Sequence, residues 1–384
     1  MHIGFITPEF PHERSTHSGG LGTSIKNLAI SLVQNGAQVS VFIYAQKENH
    51  LLKWEGIDLY FVKNQQYKIL GWYLHRKFLQ RYINKQILLN KIDVIEAPDW
   101  TGITAFMKFK CPLVIRFHGS DAYFCKLEER KQKKKNFWFE KLALEGADYL
   151  VSVSKFTAEV TRDIFQLKKE ISVIPNSINT SLFKPLSSKR STEDCTLLYF
   201  GTIIRKKGVL EIPEIFNLVY NEDNSINLRV IGKDVIDIKT KKSTKKLMRE
   251  GFNPDALQNV CFIEELIYED IKAEIEAAAI IILPSFAEAL PMTWLEAMAM
   301  QKALVTSDIG WAKEIMEDGE TGFTENPKNH LLYAEKLLKL ARNRDLREKM
   351  GTNARSKILN SFSTEVISKR NIEFYKTVIS QIQS

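Results

Sequence analysis

The sequence predicts an α/β protein of two domains, each a parallel sheet wrapped by helices. Three observations carry this. The chain has 384 residues, too many for one ordinary core. Short apolar runs such as residues 3–7, 196–200 and 280–283 alternate with longer amphipathic stretches, the pattern of buried strands joined by crossover helices. A strand, a glycine loop and a helix also follow one another at the start of both halves, at Gly19–Gly22 and again from Gly201 to Gly208.

Composition bounds the class. Apolar content of 44% and charged content of 26% are those of a soluble globular protein. No run of 18 apolar residues exists, so no transmembrane helix is expected. The start, MHIGFITPEF, lacks the basic head and small-residue cleavage site of a signal peptide, and a cytoplasmic location is expected. Cys111, Cys125, Cys195 and Cys261 are scattered without CxxC spacing, which argues for a reducing compartment and against structural zinc. The net charge of +8 is uneven: residues 1–185 hold 26 Lys and Arg against 17 acids, and residues 186–384 hold 28 against 29. The excess peaks at Arg130, Lys131, Lys133, Lys134 and Lys135, followed by Phe137, Trp138 and Phe139. Basic residues beside aromatics suit an anionic membrane surface, with the protein peripheral on the inner face of the cell membrane. The same charges fit an anionic acceptor or nucleic acid, or a solvated helix face beside a core-facing aromatic cluster. No nucleic-acid partner is expected.

In order, residues 3–7 are strand one, and a polar loop from Glu9 to Ser18 leads to Gly19-Gly20-Leu21-Gly22. Glycines there allow a sharp turn and close approach of a ligand to backbone. The spacing is not the G-x-G-x-x-G of dinucleotide sites. Leu21, Ile25, Leu28, Leu32 and Val33 mark one face of the next helix, and Gly36 stops it. Strands follow at 38–45 and 59–62, a basic amphipathic helix at 72–90, and strands at 93–96 and 112–117. Glu96, Pro98, Asp99 and Trp100 close the first of these last two, and His118-Gly119-Ser120-Asp121 follows the second. Ligands in open α/β sheets gather past the carboxyl ends of strands, so His118 is placed for chemistry, although a lone histidine there is commonly structural. Asp121 can orient it, bind a hydroxyl, or cap the next helix. A helix at 136–147, a strand at 149–153, a helix at 155–165 capped by Ser154, and a strand at 171–175 complete the first domain. Pro175, Asn176, Ser177 and Pro185 read as a linker.

The second half restarts the pattern. Strands are expected at 196–200, 228–232, 260–263 (followed by Glu264 and Glu265), 280–283 and 303–306. Helices are expected at 268–279, after Pro291, near 310–315, and at 328–343, 344–360 and 364–383. A basic helix or insertion spans 239–249. The most informative stretch is residues 284–299, PSFAEALPMTWLEAMA. Pro291 suits a first helical position, so Glu288 lies in the loop before a helix and Glu296 lies inside it. The amides of Met292, Thr293 and Trp294 then point out of a helix end that carries about half a positive charge and suits a phosphate. An anion seat with a carboxylate on either side fits a sugar joined to a diphosphate and a ribose. Glu296 sits in an apolar run, where an idle charge is costly.

Glu288-x7-Glu296, preceded by Pro-Ser and followed by Ala-Met-Ala, resembles the donor motif of retaining nucleotide-sugar glycosyltransferases of family GT4. The resemblance spans nearly the whole chain. It implies the GT-B fold: two Rossmann-like domains with parallel sheets facing across a cleft. These would be an acceptor-side domain at 1–178 with the helix 364–384 packing back on it, and a donor domain at 186–360. The loop at 201–208 resembles the family's G-R-x5-K-G, with Lys207 and Gly208 matching. Thr202 stands where the arginine is usual, and Arg205 is the nearby substitute. The resemblance further implies Glu288, His118 and Lys207 as catalytic residues. Donor binding falls to Gly19, Gly20, Arg205, Lys207, Glu288, Ala289, Leu290, Pro291, Met292 and Glu296, and the acceptor side to His118 and Asp121. No D-x-D pair is present, so no metal and no cofactor are expected, with helix end, Lys207 and Arg205 holding the diphosphate of a UDP- or GDP-linked sugar. The implied activity is a hexosyltransferase building cell-surface polysaccharide or glycolipid on a glycan or lipid-linked acceptor. A nucleotide-sugar 2-epimerase and an inactive glycan- or membrane-binding relative remain alternatives.

Overall fold

The computed structural model describes residues 1–16, 19–185, 195–264, 266 and 268–383. Ser18, Glu265 and residue 186, where the sequence starts the second domain, lie outside the described residues. The chain forms two compact units, Met1–Ser177 with Ser363–Ser384, and Ile178–Phe362.

The first unit holds an eight-stranded sheet. Its strands are β1 (His2–Thr7), β2 (Gln38–Gln46), β3 (His50–Trp54), β4 (Ile57–Lys63), β5 (Val94–Pro98), β6 (Leu113–Phe117), β7 (Tyr149–Ser152) and β8 (Ile171–Val173), in the order β3-β4-β2-β1-β5-β6-β7-β8. All pair in parallel except β3, which returns antiparallel along β4. β4 falls on the strand expected at 59–62, but β3, and with it the edge hairpin, is absent from the sequence reading. Its alternating half-buried pattern, HLLKW, covers only five residues and is too short to stand out. The sheet is buried on both faces, which is why its strands read as nearly continuous apolar runs. Glu96, expected as the last residue of its strand, lies inside β5, which runs on to Pro98, and is buried. The C-terminal helix Thr364–Gln383 belongs to this unit. Ile367, Tyr375 and Val378 sit in one core cluster with Leu28 and Leu32 of the helix Gly20–Gln34.

The second unit holds β9 (Thr196–Phe200), β10 (Asn227–Ile231), β11 (Val260–Ile263), β12 (Ile280–Leu283), β13 (Ala303–Ser307) and β14 (Phe323–Glu325), all parallel, in the order β11-β10-β9-β12-β13-β14. β14 is a three-residue strand that the sequence reading lacks. The basic stretch at 239–249 yields only a short helix, Thr244–Glu250. In both units the strand order reverses beside the first strand: between β1 and β5, and between β9 and β12. Such switch points open a crevice at the carboxyl ends of the strands.

Candidate functional site

At the second unit's switch point, two loops leave β9 and β12 and are fastened to each other. Gly201 (φ +133°) turns the chain out of β9, and the Tyr199 hydroxyl donates to the Thr202 carbonyl at 2.8 Å. A short turn, Arg205–Lys207, ends at Gly208 with φ +69°. A Cβ on Gly208 would lie 1.8 Å from the Pro284 carbonyl oxygen, so only glycine lets the two loops touch. The amides of Phe286 and Ala287 both donate to the Lys206 carbonyl, at 2.8 and 3.2 Å. Backbone contact thus sets the basic turn against the loop that carries Glu288.

Side chains complete the corner. Lys207 Nζ stands 3.3 Å from Glu288 Oε1, and the Ser285 hydroxyl donates to that same oxygen at 3.2 Å. A Cβ built on Gly201 would lie 3.5 Å from Lys207 Nζ and 3.7 Å from Thr293 Cγ2. Glycine, amine and the first turn of the helix Met292–Ala299 therefore share one spot. Burial, and then the Glu288 charge, hold the Tyr199 phenol well above its ordinary pKa, so it stays neutral. Glu296 is 5% exposed within a helix buried from Trp294 to Ala299.

Two details differ from expectation. Pro291 is the residue before the helix (φ −72°, ψ 113°), not its first member. Its carbonyl accepts the Trp294 amide at 3.2 Å, because a turn that starts one residue later closes that donor. Among the described residues, the amides left without a hydrogen-bond acceptor at this helix end are those of Met292 and Thr293. Arg205 is anchored: its Nε and Nη2 donate to Asp237 at 2.7 and 3.0 Å. Asp237 also accepts the Thr240 amide and hydroxyl, each at 2.8 Å. The Arg205 bonds hold the Asp237 carboxyl well below the usual range. No sequence motif marks Asp237, which is brought to the loop by the β10 connection.

In the first unit, Gly19 precedes the helix Gly20–Gln34 in extended backbone. Glu9 fills the space beside it. A Cβ on Gly19 would be 2.9 Å from both Glu9 carboxylate oxygens, and the Gly22 amide donates to Glu9 Oε1 at 2.7 Å. The chain's own carboxylate thus caps the positive end of this helix. Nothing lies within 4 Å of a Cβ on Gly20, so packing in this unit does not demand a glycine there.

The His118 amide donates to Asp99 Oδ1 at 2.9 Å. Burial first, and Arg116 second, push the His118 imidazole down to about 3, so the ring is neutral at physiological pH. It lines a small pocket with Ser24, Glu96, Arg116, Asn176 and Asn371. Behind the pocket Arg116 grips Glu96 through Nε and Nη2 at 2.7 and 3.0 Å. Asn371 Oδ1 accepts from Arg116 Nη2 and the Tyr375 hydroxyl donates to Glu96 Oε2, both at 2.7 Å. Asp121 stands apart from this pocket's lining. One of its oxygens accepts from Arg130 and the other from Asn136, both at 3.2 Å. The helix cap is Ser120, whose hydroxyl accepts the Tyr123 amide.

Residues 18–182 match the model of Glycosyltransferase Family 4. Residues 184–357 match that of Glycosyl transferases group 1. The chain is a GT4-family glycosyltransferase. This GT4 enzyme is 23% identical to an uncharacterized glycosyltransferase of Methanocaldococcus jannaschii over 100% of both chains. It is 26% identical to the capsular polysaccharide biosynthesis glycosyltransferase CapM of Staphylococcus aureus over 48% of this chain and 46% of CapM. Its fold matches the crystal structure of Anabaena HepE in complex with UDP-glucose with a TM-score of 0.75 and 19% identity, covering 98% of this chain and 100% of that one. The fold of the GT4 enzyme is therefore GT-B, two Rossmann-like α/β domains. Among its described residues, no helix is long and apolar enough to cross a membrane.

Proposed function

We propose that the enzyme moves a hexose from a UDP- or GDP-linked sugar to a hydroxyl of a glycan or lipid-linked acceptor, with retention at the anomeric carbon. The observation that carries this is the Lys207–Glu288 pair, held at 3.3 Å beside the open amides of Met292 and Thr293. A diphosphate seated there meets an ammonium and a helix N-terminus together. Glu288 and the backbone of Ala289, Leu290, Pro291 and Met292 take the sugar hydroxyls, and Glu296 takes the ribose. Arg205 supplies its field from a fixed position. Support for the donor class comes from HepE, solved with UDP-glucose; support for a glycan acceptor comes from the role named for CapM.

In the reaction, the bond from the anomeric carbon to the diphosphate oxygen breaks and a bond to the acceptor oxygen forms on the same face. The acceptor proton passes to the departing phosphate oxygen. Lys207 and the helix end stabilise the charge that grows on the leaving group. His118 is proposed to act as a neutral hydrogen-bonding ring toward a sugar hydroxyl, and the backbone at Gly19 and Gly20 to approach a ligand closely, which at Gly19 needs the Glu9 carboxylate to move aside. Asp121 is left an indirect role through the segment it ties down.

The test is turnover of UDP-glucose and GDP-mannose, with and without acceptor glycans, in EDTA. Release of UDP or GDP with retained anomeric configuration, unaffected by EDTA, supports the reading. Conversion of UDP-GlcNAc alone into a new nucleotide sugar would replace it with an epimerase. Loss of all turnover in EDTA would overturn its metal independence.

A further inference from the structure

The first unit carries a surface that the donor chemistry does not use. Residues 67–74 lead into the helix Gly71–Asn90 and expose apolar groups: Ile69 is 77% exposed and Leu70 57%, with Tyr67 and Leu74 beside them. Leu70 occupies the position before the helix with φ +51° and offers no side-chain cap. A leucine there leaves a helix end uncapped and holds a non-glycine residue in a disfavoured conformation. Folding gains nothing evident from the choice, and such local violations point to function.

A second segment, distant in sequence, joins it. Trp138 is 48% exposed on the helix Lys134–Gly146. Its ring lies 5.2 Å from Phe106, which lies 5.8 Å from Tyr73 and 5.6 Å from Trp72. Lys135 stands over Trp72 and Lys77 over Tyr73, so cations flank the aromatic row. Residues 59–92 hold seven Lys and Arg and no acid. Among the described residues, Lys131, Lys133, Lys134 and Lys135 form no salt bridge, while Arg130 is spent on Asp121 and Glu128.

We propose that this face docks on an anionic lipid bilayer, with Ile69, Leu70, Leu74 and Trp138 entering the headgroup boundary and Lys131–Lys135 meeting the lipid phosphates. Charge complementarity selects the occupant. A second copy would set like charges against each other, and a nucleic acid has no use for exposed Ile69 and Leu70. Aliphatic side chains with tryptophan and a lysine rim are the combination an interfacial surface requires. The inference gives a lipid-linked acceptor a place to be met, but it rests on this unit alone and stands if the donor reading fails.

The test is sedimentation of the full chain with vesicles of phosphatidylcholine, alone or mixed with phosphatidylglycerol, which needs no sugar nucleotide. Binding to the anionic vesicles, weakened by salt, is expected. Lys131→Gln with Lys133→Gln, Lys134→Gln and Lys135→Gln lowers that affinity at least about tenfold. Ile69→Ser with Leu70→Ser lowers it independently of salt. An equal change in charge on the other unit, at Lys239, Lys241, Lys242 and Lys246, leaves it unchanged. Absence of binding to anionic vesicles, equal losses in the control variant, or salt-sensitive binding to RNA without vesicle binding would each overturn the proposal. So would concentration-dependent dimerisation abolished by Ile69→Ser with Leu70→Ser. Unchanged thermal unfolding of each variant keeps a folding defect apart from a lost surface.

Discussion

Lys207 and Asp99 are single groups whose charge can each be tested by one substitution. Among the described residues, the carboxylate neighbour of Lys207 is Glu288, and the proposed anion seat lies beside it. Lys207→Ala removes the ammonium without burdening the core, and turnover falls about 10²–10³-fold, as for other groups aimed at developing negative charge. Donor hydrolysis assays check this; near-normal turnover with a folded protein would remove Lys207 from the mechanism. Asp99 is buried, Oδ2 lacks a partner, and burial pushes its carboxyl up to about 8. A raised folded value means the stabilising contribution is present below the unfolded carboxyl's pKa and is lost as pH rises through about 8. Asp99→Asn removes that dependence. Its melting temperature relative to the parent therefore rises between pH 5 and pH 8, measured by thermal unfolding across that range. A difference constant with pH would contradict the assignment. The opposite slope from His118, whose lowered value costs stability as pH falls, is common to both proteins and cancels.

At the scale of the element, the proposed donor corner depends on two loops meeting at backbone distance. Gly208→Ala puts a Cβ on the Pro284 carbonyl and a side chain at positive φ. The strained backbone alone costs about 1–3 kcal/mol, and the clash must also push the loops apart. Urea unfolding checks the loss, and donor affinity falls with it; a variant as stable as the parent and equally able to bind UDP would show that the loops need not touch. This corner was legible in the sequence because its signals are local: Pro284-Ser285 ends a strand, Glu288 and Glu296 flank a helix start, and Lys207-Gly208 closes a basic turn. Asp237 and Glu9 were not legible. Each acts by reaching a loop from another part of the chain, Asp237 across 32 residues to Arg205 and Glu9 across 13 to Gly22, with no spacing that announces the pairing. Strand β3 escaped for a different reason: a five-residue edge strand has too few positions to show a period.

At the scale of the molecule, the last helix, Thr364–Gln383, sets Ile367, Tyr375 and Val378 into the first unit's core, but what locks it is polar. Arg116, Glu96, Asn371 and Tyr375 form a buried network that ties Thr364–Gln383 to the first unit's sheet. Arg116→Met leaves Glu96 buried and uncompensated, a loss of about 3–5 kcal/mol. Amide exchange then loses protection in residues 364–383 while residues 196–362 keep theirs, and Glu96→Leu added to it recovers part of the loss. Unaltered protection of 364–383 would show that apolar packing alone holds the helix. The central claim concerns the other unit, where a nucleotide diphosphate is assigned to one corner. A crystal soaked with UDP tests it most directly. The account predicts the diphosphate within hydrogen-bond distance of Lys207 Nζ and the Met292 and Thr293 amides, with the ribose on Glu296. UDP bound elsewhere on the protein, with that corner unoccupied, would contradict it.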